Sequence, residues 1–249
     1  MTPDNRQFRT GVIKPVECLK EGWALIKDQY WLFLGIVFVG VFIGSAVPLV
    51  LIGPMMVGIY LCFFRRMHGE PVEFGNLFKG FDYFAQSLIA ALIQAIPMVI
   101  VIVPMYIIMF VVMMTSMPRG GRMDPDESSR FLFTFLGLEL VFVTVILAVA
   151  IIVTIFFLFA FPLIADRNLS GVDATKLSIK AARANLGGIL SLILVNVGLG
   201  ILGVLCCYIG AFFVGPVSLA SYAVAYRRVF PEVSQNFVSP PPPPASWAA

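Results

Sequence analysis

Long apolar runs follow one another along this chain, and polar stretches separate them. Positions 31 to 64 are almost wholly apolar, which is too long for one membrane-spanning helix of about 20 residues and long enough for two short ones. Positions 45–48 are the predicted turn between those two helices. In all, the pattern predicts six transmembrane helices, at 31–46, 48–65, 86–115, 131–163, 187–206 and 208–226.

Each pair of predicted spans follows a polar stretch in which apolar residues recur with a helical period. In 13–30 an apolar residue appears every three or four positions, which places a single stripe on one helix face. The same spacing occurs in 72–84, and a weaker form occurs in 171–184. Helices of this type lie flat at a membrane surface. We therefore expect three amphipathic interface helices, which either brace the spans or respond to lipid or a partner.

A 15-residue sequence pattern occurs twice in the chain. Residues 52–66 read IGPMMVGIYLCFFRR and residues 214–228 read VGPVSLASYAVAYRR, so Gly-Pro and Arg-Arg recur with the same separation. Because both copies enter and leave from the same side, they indicate a parallel internal repeat, and 86–163 follows the same plan. The first Gly-Pro pair is expected to kink its span. The predicted helix-break or packing positions are Gly53, Pro54, Gly215 and Pro216.

The chain divides accordingly into three units, each an interface helix followed by a membrane hairpin. The first unit covers 13–67, the second covers 68–163 with an outer loop at 116–130, and the third covers 164–229. A cytoplasmic segment at 1–12 precedes them, and a proline-rich tail at 230–249 is predicted to be disordered. The predicted fold class is an all-α integral membrane protein.

Composition supports the membrane class. Hydrophobic residues make up 59% of the chain and charged residues 12%, and the mean hydropathy is +0.94. Soluble domains have about 45–50% apolar and about 25% charged residues. A soluble fold of this size could not cover so much apolar surface. The partner expected first is therefore the lipid bilayer, and no nucleic-acid partner is expected.

The positions of the basic residues orient the chain in the membrane. With six spans, 14 of the 17 Lys and Arg residues fall in segments that share one side with both termini. Because basic residues are retained in the cytoplasm, this side, with both termini, is predicted to be cytoplasmic. The predicted interface anchors are Trp23, Tyr30, Trp31, Arg65, Arg66, Arg227 and Arg228.

The C-terminal region contains a set of residues that together suggest a relative: Phe161, Pro162, Leu163, Asp166, Arg167, Lys180, Arg183, Asn185, Gly215, Pro216, Tyr226 and Arg227. With these residues it resembles a family of bacterial polytopic membrane proteins of unknown function, which is similar to the membrane domain of some glycerophosphodiester phosphodiesterases. The resemblance covers about 70 residues well, and the rest only in plan. It implies architecture and a place in a bacterial inner membrane, and it carries over no catalytic residue.

Catalytic or metal-binding patterns are not evident in the sequence, so we expect no enzyme activity, cofactor or metal. The single histidine, His68, lies in a predicted cytoplasmic stretch without an identifiable nucleophile. Ionisable residues within a membrane are usually functional. The candidate intramembrane polar site is therefore Glu139 with Gln94 and Asn196, unless Glu139 lies above the outer interface.

Three classes of function remain open at this point. The first is a non-enzymatic scaffold, assembly or bilayer-responsive protein, with a protein partner at the polyproline stretch 240–244 or a second copy of the chain. The second is a transporter or channel for a small or lipid-like solute. The third, an embedded enzyme, has the least support. Gly198, Gly200 and Gly203 are predicted to let helices approach closely.

Overall fold

A computed structural model describes residues 7–116, 125–205 and 209–232. Within these residues all regular secondary structure is helical and no strand occurs, which confirms the all-α prediction. Most of the proline-rich tail, the first six residues and the centre of the predicted outer loop lie outside the described residues. The α-helices are α1 Pro15–Ile26, α2 Tyr30–Ala46, α3 Ile52–Met67, α4 Phe84–Ser116, α5 Pro125–Phe157, α6 Ala160–Arg167, α7 Gly171–Ala184, α8 Leu186–Leu205 and α9 Ile209–Val229, and 3-10 segments occupy Lys27–Gln29 and Phe74–Tyr83.

Four helical stretches are long and apolar enough to cross a membrane. They are Pro15–Ala46, Phe74–Thr115, Ser128–Arg167 and Leu186–Leu205. The helices α3 and α9 are not among them. With 16 residues, α3 is about 24 Å long, shorter than the hydrocarbon core of about 30 Å. The described residues therefore form an all-helical fold with four apolar helices of membrane length.

The two copies of the repeated pattern form α3 and most of α9. These two helices lie at the centre of the molecule. Met55 and Phe63 in α3 and Ala223 in α9 are fully buried. The two helices meet near their arginine ends, where the rings of Phe64 and Tyr226 lie 5.3 Å apart. Each of these rings immediately precedes the Arg-Arg pair of its copy. Most residues of α3 are buried, so this helix needs less apolar surface than a lipid-facing helix, whereas α9 is exposed near its N-terminal end.

The first Gly-Pro pair does not kink a helix, in contrast to the prediction. Since α3 begins at Ile52, Gly53 and Pro54 lie in its first turn, where the missing N–H of proline costs nothing. The end of α2 at Ala46 agrees with the prediction, but α3 starts at Ile52 rather than at position 48, so the turn lies further along the chain than predicted. In the second copy, Pro216 does lie inside α9.

Helix α1 packs along α9 through a face that shares only part of its apolar stripe. Its buried residues are Cys18, Gly22 and Ile26, of which only Ile26 belongs to the stripe. A Cβ on Gly22 would lie 2.8 Å from the backbone nitrogen of Ser221, so the two backbones are in close contact. Trp23, a stripe residue and predicted interface anchor, is 47% exposed. The apolar residues of α1 thus divide between a protein-facing side and an outward side.

The segment Phe74–Tyr83 is a 3-10 helix rather than the expected α-helix, and it runs antiparallel beside α3. Glycines allow this contact, because a Cβ on Gly58 would overlap the carbonyl oxygen of Leu77. Residues three apart share a side in a 3-10 helix. Accordingly Leu77 and Gly80 face α3, whereas Phe78 and Phe81 are exposed.

The predicted span 131–163 is interrupted, because α5 ends at Phe157 and α6 begins at Ala160. The buried hydroxyl of Ser178, from α7, satisfies the backbone at the break. It donates to the carbonyl oxygen of Phe156 at 2.8 Å and accepts from the N–H of Phe159 at 3.2 Å. A residue of the third polar stretch therefore fixes the end of the preceding apolar run.

Candidate functional site

The three predicted intramembrane polar residues occupy different surroundings. Gln94 on α4 lines a cavity together with Thr154 of α5. Asn196 on α8 is buried, and its amide donates to the Ser221 hydroxyl at 3.1 Å and to the Leu192 carbonyl at 2.9 Å. Glu139 is partly exposed on α5. Of the three, Asn196 has its hydrogen bonds within the protein.

The structure does not bring these three residues together. Tyr106 of α4 contacts Phe142 of α5, with ring centroids 4.9 Å apart, and Glu139 lies about one turn from that contact. Gln94 lies 12 residues before Tyr106 on the same helix, which corresponds to about 18 Å. Asn196 bonds between α8 and α9 instead. A shared proton or cation site of these residues therefore does not form.

The first arginine of each pair contacts polar or acidic side chains outside its own helix. Arg65 donates from Nη1 to Asn76 Oδ1 at 3.1 Å, and its Nε lies 3.1 Å from Glu70 Oε2. In the second copy, Arg227 Nη2 lies 2.8 Å from Asp166 Oδ1. These side chains are 29% and 13% exposed, so both are largely covered by protein.

The second arginine of each pair binds the N-terminal helical region. Arg66 donates to the Leu25 carbonyl at 3.1 Å, and its Nη2 lies 3.2 Å from Asp28. Arg228 donates to Glu17 at 3.1 Å and to Glu21 at 2.6 Å. Equivalent positions of the two copies thus hold one element, α1 with its following 3-10 turn.

The ion pairs on α1 shift the protonation equilibria of their members. The hydrogen bond from Lys14 and then that from Arg228 hold the pKa of Glu17 below its usual value. Partial desolvation alone would lower the pKa of Arg228, but hydrogen bonds to Glu21 and Glu17 outweigh it, and the pKa lies above its usual value. At neutral pH both partners are charged.

Asp166 at the end of α6 is the centre of a covered charge cluster. Its Oδ2 accepts from the Tyr226 hydroxyl at 2.7 Å, and its Oδ1 faces Arg227. Arg167 Nε lies 3.9 Å from the same carboxylate. The Arg227 guanidinium also lies 4.7 Å above the ring of Phe64, on the first copy. The cluster joins α6 and α9 to the end of α3.

The ion pairs and hydrogen bonds of this cluster hold helices together. Both oxygens of Asp166 are engaged, and the nearby His68 pairs with Glu232 at 2.9 Å. Among the described residues, three or more potential metal-ligating side chains nowhere come together. The arrangement neutralises charge locally and fixes the relative positions of the helices.

The predicted aromatic anchors divide into two kinds. Trp31 is 73% exposed and, like Trp23, points away from the protein. The Tyr30 hydroxyl instead donates to the carbonyl oxygen of Phe213 at 2.6 Å, which ties α2 to α9. The two tryptophans are therefore available to a bilayer, while Tyr30 also has a role within the fold.

Asn185 and Asp166 appear in the sequence analysis only as residues that carry the resemblance, and their contacts are not evident from the sequence. Asn185, which is 4% exposed, accepts from the Gly11 N–H at 2.8 Å and donates to the Arg9 carbonyl at 3.1 Å. These hydrogen bonds hold the N-terminal segment next to the start of α8. Asp166 pairs with groups 60 or more positions away, so spacing alone gives no signal. Thr154 resembles any hydroxyl in an apolar helix.

Comparison with known proteins adds no relative to this picture. No protein-family model matches the chain, and neither a curated protein nor a solved structure matches it. The resemblance of the C-terminal region to bacterial membrane domains thus remains a prediction. Function has to be inferred from the geometry of the chain itself.

Proposed function

We propose that the protein is a non-enzymatic, polytopic inner-membrane protein that responds to the state of the bilayer or organises an assembly within it. One observation carries this proposal. The repeated arginines Arg66 and Arg228 hold one amphipathic helix, α1, against both central helices. The exposed side of α1 and the start of α2 carry Trp23 and Trp31. A change in the bilayer that moves these rings would pull on α3 and α9 together.

The topology proposed for this function has six spans in three hairpins, each preceded by a cytoplasmic interface element. Four helices have the length and composition to cross a bilayer. With α3 and α9 as protein-covered return helices, every strongly basic segment stays on the cytoplasmic side, as do both termini. The parallel repeat is supported by the contact of Phe64 with Tyr226 and by the matching bonds of the arginine pairs.

A resemblance to the membrane domain of glycerophosphodiester phosphodiesterases belongs to this proposal as well. Two of the residue pairs that carry it, Asp166-Arg167 and Tyr226-Arg227, form the covered charge cluster. In this interpretation the shared residues maintain an architecture. The proline-rich tail at 240–244 is proposed to bind a protein partner, and the protein to associate with itself.

A second candidate is a transporter for a lipid-like solute. The observation in its favour is the cavity that Gln94 and Thr154 line. A transporter for a small ion has less support, because Glu139 lies far from Gln94.

Cys18 offers a direct test of the bilayer-responsive function. It is fully buried in α1, against α9, and burial raises the pKa of its thiol, so it should react slowly with maleimide while α1 is docked. In a Cys206→Ser/Cys207→Ser protein in vesicles, we expect its labelling rate to change several-fold with bilayer thickness. Cys62, buried within α3, should stay protected in every bilayer.

The ion pairs provide the matched comparison. Arg228→Gln removes the bonds to Glu17 and Glu21 and should accelerate Cys18 labelling in all bilayers. Lys27→Gln removes the same charge from an exposed position and should change nothing. If Cys18 reacted equally slowly in every bilayer, and the vesicles released a solute faster than protein-free ones, the transporter would replace the proposed function.

A further inference from the structure

A cavity of about 430 Å³ lies between α3, α4, α5 and α6. Its walls are mainly apolar, and three alanines, Ala91, Ala95 and Ala150, leave the space that larger side chains would fill. The volume lies within the range of about 300–1,000 Å³ that small-molecule sites occupy. The cavity is partly open, so a molecule can enter from beside the helices.

Two polar side chains face this apolar space without partners. Within the described part of the chain, neither the Gln94 amide nor the Thr154 hydroxyl has a hydrogen bond. Other hydroxyls on the apolar helices behave differently. Those of Ser45, Thr115 and Thr144 donate to the carbonyl four residues earlier. The cavity-facing pair is therefore available to a ligand.

An unpaired amide in an apolar membrane helix is costly. In hydrocarbon each unsatisfied polar group costs several kcal/mol, because no water is present to replace the missing partner. A glutamine amide offers two donors and an acceptor, and a threonine hydroxyl offers one donor. A ligand that suits this site combines an apolar body, for the alanine-lined space, with a hydrogen-bond acceptor, for Gln94 and Thr154.

We propose that this cavity binds the acyl chain of a bilayer lipid, with the lipid's ester carbonyl accepting hydrogen bonds from Gln94 and Thr154. The apolar walls of the cavity suit the methylenes of such a chain. The chain competes with the bilayer for the same methylenes, so the ester contacts supply the selectivity. This inference stands independently of the proposed bilayer-responsive function, since a resident lipid is compatible with a scaffold, a sensor or a transporter.

A comparison of ester and ether lipids isolates the contribution of the carbonyl contact, because an ether lipid lacks the carbonyl. The full chain, purified in detergent, is titrated with a diester phosphatidylglycerol and with its diether analogue of the same chain length and headgroup, and bound lipid is counted by native mass spectrometry. We expect the diester to bind about thirtyfold more tightly, because each of the two hydrogen bonds contributes about 1 kcal/mol. Equal binding of the two lipids to the wild-type protein would overturn the proposal, because retention would then come only from the groups that both lipids share.

Near-isosteric variants place the contact at the cavity. Gln94→Leu and Thr154→Val should each lower the preference for the diester to about fivefold, and the double variant should remove it, while diether binding stays unchanged. Thr144→Val is the matched control, because that hydroxyl is on the same helix and bonds to its own backbone. Ala95→Phe should fill the cavity and displace both lipids. A diester preference that survives in Gln94→Leu and Thr154→Val together would contradict the assignment.

Discussion

Gly58→Ala is expected to lower the free energy of unfolding by about 3 kcal/mol, a large effect for one methyl group. The added Cβ would overlap the carbonyl oxygen of Leu77. A Cβ on Gly80, in the facing 3-10 segment, would likewise collide with the backbone of Pro54 and Gly58. The atoms that would collide belong to backbone, so no rotamer change relieves the contact. Thermal unfolding of the purified protein in detergent measures the loss, as a midpoint roughly 10 °C lower.

Two other glycines give the controls for this prediction. Gly75 lies in the same 3-10 segment, and a Cβ there would meet nothing within 4 Å. Gly198 on α8 is equally open. Gly75→Ala and Gly198→Ala should therefore leave the midpoint nearly unchanged. A midpoint for Gly58→Ala that matches these controls would show that α3 and Phe74–Tyr83 are not in backbone contact.

Asp166→Ala is expected to destabilise the protein by about 3–5 kcal/mol, since it leaves two largely covered arginines without their carboxylate. Arg227 is 13% exposed and Arg167 is 4% exposed, so water cannot replace the lost partner. Tyr226 would lose its hydrogen bond as well. Unfolding midpoints in detergent again measure the effect.

A double variant tests whether the loss comes from the uncompensated charge. Asp166→Ala/Arg227→Met should recover part of the stability, because the unpaired guanidinium is gone. Lys14→Ala is the exposed comparison, since Lys14 is 69% exposed in its pair with Glu17, and it should change stability by under about 1 kcal/mol. A cost for Asp166→Ala no larger than for Lys14→Ala would show that the cluster is solvated.

The apolar runs predicted the helices well, because burial in protein and contact with lipid both select apolar residues. They could not separate the two environments. Met55 and Phe63 are buried in protein, whereas Phe38 and Phe42, in the preceding helix, are exposed. All four belong to the same apolar run. The runs therefore predict where helices lie, but not which helices face lipid. The predicted second span corresponds to α3, which is not among the helices of membrane length.

Contacts between distant segments were beyond the reach of a single sequence. The apolar stripe of α1 includes Trp23, yet the face packed on α9 is set by Gly22, whose missing side chain admits the backbone of Ser221. Glycine spacing was no better guide on α8. There a Cβ on Gly203 would lie 2.9 Å from the backbone nitrogen of Ala211, but Gly198 and Gly200 contact nothing. Close approach depends on what lies opposite a glycine.

The candidate site shows the same limit. Gln94, Glu139 and Asn196 were selected because polar groups in apolar helices are costly. Asn196 forms a hydrogen bond with Ser221, whereas Gln94 faces a cavity and has no hydrogen bond among the described residues. The partner of Gln94 across the cavity, Thr154, lies 60 positions further along the chain. Helix packing alone brings the two together.

Single-cysteine labelling in intact cells tests the proposed membrane topology most directly. In a background without native cysteines, an impermeant maleimide is applied to variants with one cysteine at Lys20, Lys79, Lys176 or Val47. We predict that Val47→Cys, between α2 and α3, is modified in intact cells, and that the three lysine positions react only after the membrane is permeabilised. Modification of Lys79→Cys in intact cells would contradict the account, because it would place the segment after the first arginine pair outside the cell.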